Sequence, residues 1–337
     1  MHSATALAKP DNLLTRVTRV VQAELAAVEA RIAEQTTAFD PAIEGYVSYA
    51  VGSRGKRLRP LMALLSGASM GPITPEHIDL AVVVELIHIA TLVHDDIVDE
   101  AERRRAQPTV NARWGNSLSV LLGDCLFAHA LNLSANFENP EIGRAIARAA
   151  REVCTGEIIQ TQRRFDLHLA VDDYLRIIQM KTGSLFAVAA ELGAVLSGAE
   201  DRTALQLKEF AMRVGTAYQI YDDCLDIAGD EDTTGKTLGT DLRKGKLTLP
   251  VLILLRSAPA VEKERCADLI LDGNLSEITK LVKAAAANGA LSAAVAEGQE
   301  LLREAENRLT GLPDNQYSRA LFGLSEAVRD LFEEIRA

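Results

Sequence analysis

The chain has 337 residues, a formal net charge of −11, 48% hydrophobic and only 4% aromatic residues. The length allows one large domain or two smaller ones with a buried core, and the acidic balance argues against a general nucleic-acid surface, which needs basic residues to neutralise phosphates. No uninterrupted apolar run reaches the ~18 residues of a membrane span, and the opening MHSATALAKP lacks a signal-peptide core.

The expectation is therefore a soluble cytoplasmic protein with a flexible tail over 1–10, one domain over 11–337 and no transmembrane segment. The four cysteines, Cys125, Cys154, Cys224 and Cys266, are widely spaced and show no metal-ligand pattern. They read as small core residues.

Helical periodicity dominates from Leu13 onward, and no period-2 strand pattern stands out. Residues 13–35 read as one amphipathic helix. A loop with Gly52, Ser53 and Gly55 leads into KRLRPLMALLSGASMG, a basic start to an apolar helix, punctuated by Pro72 and Pro75. PEHIDLAVVVELIHIATLVHDD is apolar on nearly every face and should be central. Further helices are expected over 116–137, 140–167, 171–197 and 201–228. The Gly- and Thr-rich segment GDEDTTGKTLGTDLRKGKLTLP follows, long enough to suggest a functional loop. More helices fill 248–337, separated near Asn274, Gly289 and Pro313. The fold class is all-α, a single domain.

One echo carries the chemistry. DDIVD at 95–99 recurs as DDCLD at 222–226. At about 100° per residue, Asp95, Asp96 and Asp99 share one arc of a helix, and so do Asp222, Asp223 and Asp226. Carboxylates so spaced repel each other, and at a helix C-terminus the macrodipole adds to the cost. A cation at the site would relieve both. Mg²⁺ suits such a set, because it takes one or two carboxylates plus phosphates and water. A solvated helix end explains either cluster alone, but two such clusters ending two apolar helices are harder to explain that way. Gly215 and Gln219 fall on the second acidic face, Gly215 leaving room for a ligand or allowing close helix packing.

These residues resemble the trans-prenyltransferases, or polyprenyl diphosphate synthases. DDIVD with Arg104 and Arg105 is similar to their first aspartate-rich motif, and YQIYDDCLD to their second. RGKRLRP, His88 in ELIHIATLVHDD, the KTG at 181–183 and GKTLGTDLRKGKLTLP match in order from about 52 to 250. The character is that of long-chain octaprenyl or solanesyl types. The resemblance implies an all-α homodimer that condenses isopentenyl diphosphate with an allylic diphosphate, using three Mg²⁺ ions per site. It implies that all six motif aspartates serve metal. Lys56, Arg59, His88 and Arg105 would bind isopentenyl diphosphate. Arg104, Lys181, Lys236 and Lys246 would grip the allylic diphosphate, with Thr182 and Gln219 near the developing cation. Ala106 and Tyr218 depart from the usual Gly and Phe without removing a catalytic group. His94 and Cys224 read as structural, and Arg103 as an extra surface charge.

In this family bulky residues upstream of the first motif limit product length. Ala90 and Thr91 stand there, both small, so the floor of the tunnel is expected deeper, at Ile142 or Ile146. That favours a long product of quinone side-chain type. A shorter-chain synthase, a terpene cyclase and a non-catalytic subunit of a heteromeric synthase are the alternatives. The basic GKRLR segment weighs against the cyclase, and the six intact aspartates weigh against the subunit.

Overall fold

The structure is a computed structural model that describes residues 12–52, 55–104, 107–228, 239–272 and 289–336. The expected opening helix is broken into α1 (Leu13–Arg19) and α2 (Gln22–Glu34). The break falls at the β-branched pair Val20–Val21, where Val21 leaves helical geometry and turns fully into the core. After α3 (Glu44–Val51), α4 (Leu58–Met70) carries the apolar half of the basic segment.

Pro75 in the first turn and a reciprocal cap between Thr74 and His77 start α5 (Pro75–Val98). The same imidazole reaches the Gly193 carbonyl at 3.1 Å and the Ser197 hydroxyl at 2.9 Å. One residue thus caps α5 and pins it to a distant helix.

A two-residue hairpin follows, β1 (Arg103–Arg104) against β2 (Gln107–Pro108). It corrects the expectation of no strand, and is too short to show alternation in the sequence. The chain continues through α6 (Val110–Trp114), α7 (Asn116–Ser134) and α8 (Pro140–Gln162). The predicted helix over 171–197 is two helices, α9 (Val171–Ile178) and α10 (Ser184–Leu196), joined by a π-helical turn at Gln179–Gly183. Such turns widen the helix and often mark functional sites. Then come α11 (Asp201–Ala228), α12 (Thr240–Arg243), α13 (Leu249–Ser257), α14 (Ala260–Asp272), α15 (Ala290–Arg308) and α16 (Gln316–Arg336).

Helix α10 lies between α4 and α11, and α5 packs on α4 and α7. A Cβ on Gly193 would stand 2.2 Å from the Ala63 carbonyl oxygen, so glycine is what lets α10 approach α4 so closely. The buried side chains from Val17 to Phe332 form one cluster, each large one contributing about 1.5–3 kcal/mol. Among the described residues, α7 alone is long and apolar enough to cross a membrane, although only a third of its span is buried. Two expectations are corrected in the core. Cys125 and Cys154 are exposed while Cys224 and Cys266 are buried. Gly215 serves packing, since a Cβ there would press within 3.0 Å of the Phe186 ring.

Candidate active site

The first acidic cluster closes α5, and its three carboxylates have different surroundings. Asp96 is buried and receives Arg104 from β1, Nη2 at 2.7 Å and Nε at 2.9 Å. Burial keeps its carboxyl above the usual range in spite of that partner. Asp99 caps the helix and meets Lys246 Nζ at 2.7 Å and Arg164 Nη2 at 3.3 Å. Burial opposes its charge, but Lys246, then Lys181 and Lys244, hold the carboxyl below its ordinary value. Asp95 is pushed up to about 6 by burial, with Lys181 opposing and Glu157 adding.

The second cluster closes α11, and its members diverge as well. Asp222 is exposed. Asp223 is buried, accepting from the Tyr174 hydroxyl at 2.5 Å and from Gln219 Nε2 at 2.9 Å. Gln219 in turn accepts from the Thr182 hydroxyl at 2.7 Å. Asp226 accepts the backbone N–H groups of Thr240 and Asp241, each at 3.1 Å, and so caps α12.

The π-helical turn sets Lys181 beside the first cluster, where Asp95 and Asp99 act on its charge. Its ammonium lies 2.7 Å from Glu157 Oε2 and donates to Gln160 Oε1 at 2.9 Å. Burial disfavours that charge, yet Asp95 and Glu157 outweigh it and raise the ammonium above its ordinary value. Sequence reasoning missed Glu157, Gln160, Tyr174 and Arg164. The available signal was a glutamate and a glutamine, three residues apart, toward the inner face of α8.

From the opposite wall comes the basic segment. Arg57 adopts a left-handed backbone, φ +50°, and is buried between Glu29 at 2.5 Å and Glu85 at 2.7 Å. Its neighbours point elsewhere. Lys56 stands 5.6 Å over the Tyr218 ring and 6.0 Å over Tyr221. Arg59 stacks on Phe186 at 4.8 Å, and its Nε is buried without a hydrogen-bond partner among the described residues. Burial lowers its guanidinium, while Glu85, Tyr218, Asp222 and Asp95 all pull it back up. One arginine thus interacts electrostatically with an aspartate of each cluster. His88 lines a cavity beside it with Arg57, Glu85, Asp96 and Arg104. Arg105 and Lys236 lie outside the described residues.

Thr91 shares the helix face of His88 and Asp95 and is half-buried, whereas Ala90 is wholly enclosed in the core, as are Ile142 and Ile146. His94 reaches the Val120 carbonyl at 3.1 Å and packs over Gly123, a structural role.

The donor set fits Mg²⁺. Its oxygens are hard carboxylates, Asp95 and Asp222 face the space shared with Arg59, and Arg59 Nε is a donor suited to a ligand anion. Among the described residues no three His, Cys, Asp or Glu side chains converge into a dedicated cage.

Comparison with known proteins agrees with this geometry. The sequence profile of the polyprenyl synthetase family matches residues 40–287. The chain is 36% identical, over 84% of its length and 87% of the other, to an all-trans-nonaprenyl-diphosphate synthase of Rhodobacter capsulatus. It is 32% identical to the octaprenyl diphosphate synthase of Escherichia coli, covering 93% of this chain and 97% of that one. A polyprenyl synthase from Caulobacter crescentus, crystallised with calcium and isoprenyl diphosphate, superposes with a TM-score of 0.88 at 34% identity, over 96% and 99% of the two chains.

Proposed function

The chain belongs to the polyprenyl synthetase family, and from that premise we propose that it is a prenyltransferase joining isopentenyl diphosphate to an allylic diphosphate to build a long all-trans polyprenyl diphosphate. The observation that carries the reading is Arg59, whose Nε is buried without a hydrogen-bond partner among the described residues while Asp95 and Asp222 act on its charge. Two acidic helix ends, with Lys181 and Lys246 among them, make a space suited to a diphosphate and its counter-ions. The octaprenyl and nonaprenyl relatives support the long product.

Asp95, Asp99 and Asp222 would hold Mg²⁺, which would supply charge to stabilise a departing diphosphate; three ions is the family-based count. The chain's own groups do the remainder. Lys181, Lys246 and Arg104 hold diphosphate oxygens where negative charge develops as the carbon–oxygen bond ionises. Glu157 and Gln160 fix Lys181, so its ammonium is oriented before substrate arrives. The Thr182–Gln219–Asp223 chain aligns neutral oxygens toward the allylic cation. Lys56, Arg59 and His88 bind isopentenyl diphosphate, with Arg105 beside them. Its double bond attacks the cation, and the proton released passes to the freed diphosphate. The apolar helices around the space exclude water that would quench the cation.

The enzyme works as a cytoplasmic homodimer. The support is α7, whose apolar face leaves Val120 43% and Leu121 66% exposed, with Ile158 of α8 58% exposed. An apolar surface of that kind marks association.

The test is release of diphosphate by the purified chain. It should require Mg²⁺ and both substrates together. Release from the allylic diphosphate alone would point to a cyclase, and no release under any condition would point to a non-catalytic subunit.

A further inference from the structure

Arg164 lies just beyond the end of α8, and none of the roles above uses it. Its Nη2 donates to the Val98 carbonyl at 3.2 Å and to Asp99 Oδ1 at 3.3 Å. Its Nε is buried with no hydrogen-bond partner among the described residues. Asp99 is already satisfied by Lys246, at 2.7 and 2.8 Å to its two oxygens. Lys244 stands beside them, its ammonium lowered by burial and by the repulsion of Lys246 and Arg164. Three cations gather around Asp99, with Asp95, Asp96 and Asp241 as the neighbouring acids. What points to an anion is the buried Arg164 Nε, a donor with no partner among the described residues.

The backbone builds this arrangement deliberately. Phe165 adopts φ +61°, in the left-handed region, and its N–H donates to the Gly245 carbonyl at 2.8 Å. Its ring occupies the space that a Cβ on Gly245 would need, the nearest ring carbon 2.5 Å away. A non-glycine residue holds such a conformation only where its surroundings enforce it. The turn after α8 is thereby latched to the Lys244–Gly245–Lys246 loop. Arg164 and Lys246 reach Asp99 as a unit.

We propose that Arg164 is a further diphosphate-binding residue of the allylic subsite, resting on Asp99 and the Val98 carbonyl in the free protein and donating to diphosphate oxygens when substrate arrives. The proposal rests on the prenyltransferase reading above. A guanidinium suits the task, because its planar fork offers five donors and holds phosphate oxygens in pairs. The plainer alternative is that Arg164 only caps α5, since a cation is favourable at a helix C-terminus. The two roles separate by experiment.

Titration calorimetry on the full chain, with Mg²⁺ and the slowly ionising analogue farnesyl S-thiolodiphosphate, reads the allylic subsite directly. Arg164→Gln should weaken binding about tenfold or more, the loss expected for a charge-assisted hydrogen bond. The KM for isopentenyl diphosphate should stay unchanged. Arg164→Lys, which keeps the charge and loses the fork, should weaken binding by about threefold, and it carries the test should Arg164→Gln not fold. Arg163→Gln, whose partner is Asp166 on the surface, should bind as wild type does. Wild-type affinity in both Arg164 variants, whatever their stability, overturns the proposal and leaves the capping role. A wild-type chain that binds no analogue and releases no diphosphate overturns the prenyltransferase reading, and the proposal with it.

Discussion

The hydroxyl of Tyr174, on α9, donates a 2.5 Å hydrogen bond to Oδ2 of Asp223, in the second aspartate-rich motif. Both groups are buried. Burial above all, then Asp241, pushes the Asp223 carboxyl up to about 7 from an ordinary 3.8, with Tyr174 and Gln219 pulling the other way. A carboxyl raised on folding keeps its proton after the unfolded chain has lost its own. Its contribution to stability is therefore present below about pH 4 and lost as pH rises through about 7. In metal-free protein the urea midpoint should fall across that window, and Asp223→Asn should flatten the fall. Tyr174→Phe should cost about 1–3 kcal/mol at pH 8, where the carboxylate loses the donor to Oδ2 and keeps only Gln219. Parallel pH profiles for wild type and Asp223→Asn would dismiss this account.

Arg57 and Glu85 form a buried pair at 2.7 Å, Glu85 only 3% exposed. Arg57→Met strips that carboxylate of its hydrogen-bonded partner in the core and should cost about 3–5 kcal/mol. Glu29→Gln alters the other arm, which is half-exposed, and should cost under about 1 kcal/mol. Denaturant melts of the two variants compare them. Equal losses would mean that Glu85 is not isolated when Arg57 goes.

Lys181 is fixed by Glu157 and Gln160 and faces Asp95. Lys181→Gln removes a preorganised charge from the site of diphosphate departure. Its kcat should drop about 10²–10³-fold, as for loss of one oriented donor, while the KM for isopentenyl diphosphate holds. A change confined to that KM would move Lys181 to the other substrate.

Thr91 and Ala90 differ in what surrounds them. Thr91 is half-buried on the face of His88 and Asp95, and Ala90 is fully enclosed. Thr91→Phe should shorten the product, because the ring would stand where the chain grows. Ala90→Phe should instead overpack the core and cost about 1–3 kcal/mol. Chromatography of products and thermal melts, run on both variants, decide the matter. A shortened product from Ala90→Phe in a stable protein would reverse the assignment.

Much of the site was legible because helical spacing alone sets carboxylates on one face. Asp95, Asp99 and Asp222 needed only that rule, and the ordered basic segments completed the pattern. What stayed hidden depends on chain returning from far away. The backbone N–H groups of Thr240 and Asp241 reach Asp226 from a distant turn, a contact no spacing rule foretells. Arg57 is paired by Glu29 and Glu85, which close on it from α2 and α5. Gly215 looked like room for a ligand, and Phe186 takes that room. The π-helical turn at Gln179–Gly183 has no periodicity signal, since it inserts into a pattern that reads as continuous helix.

Product length tests the central claim most directly. The purified chain, given farnesyl diphosphate, labelled isopentenyl diphosphate and Mg²⁺, should yield a ladder of dephosphorylated alcohols ending at eight isoprene units or beyond, the length an octaprenyl synthase makes. A ladder that stops at about four units, with primer still present, would contradict the long-chain assignment while keeping the chemistry. No incorporation at all would contradict the enzyme itself.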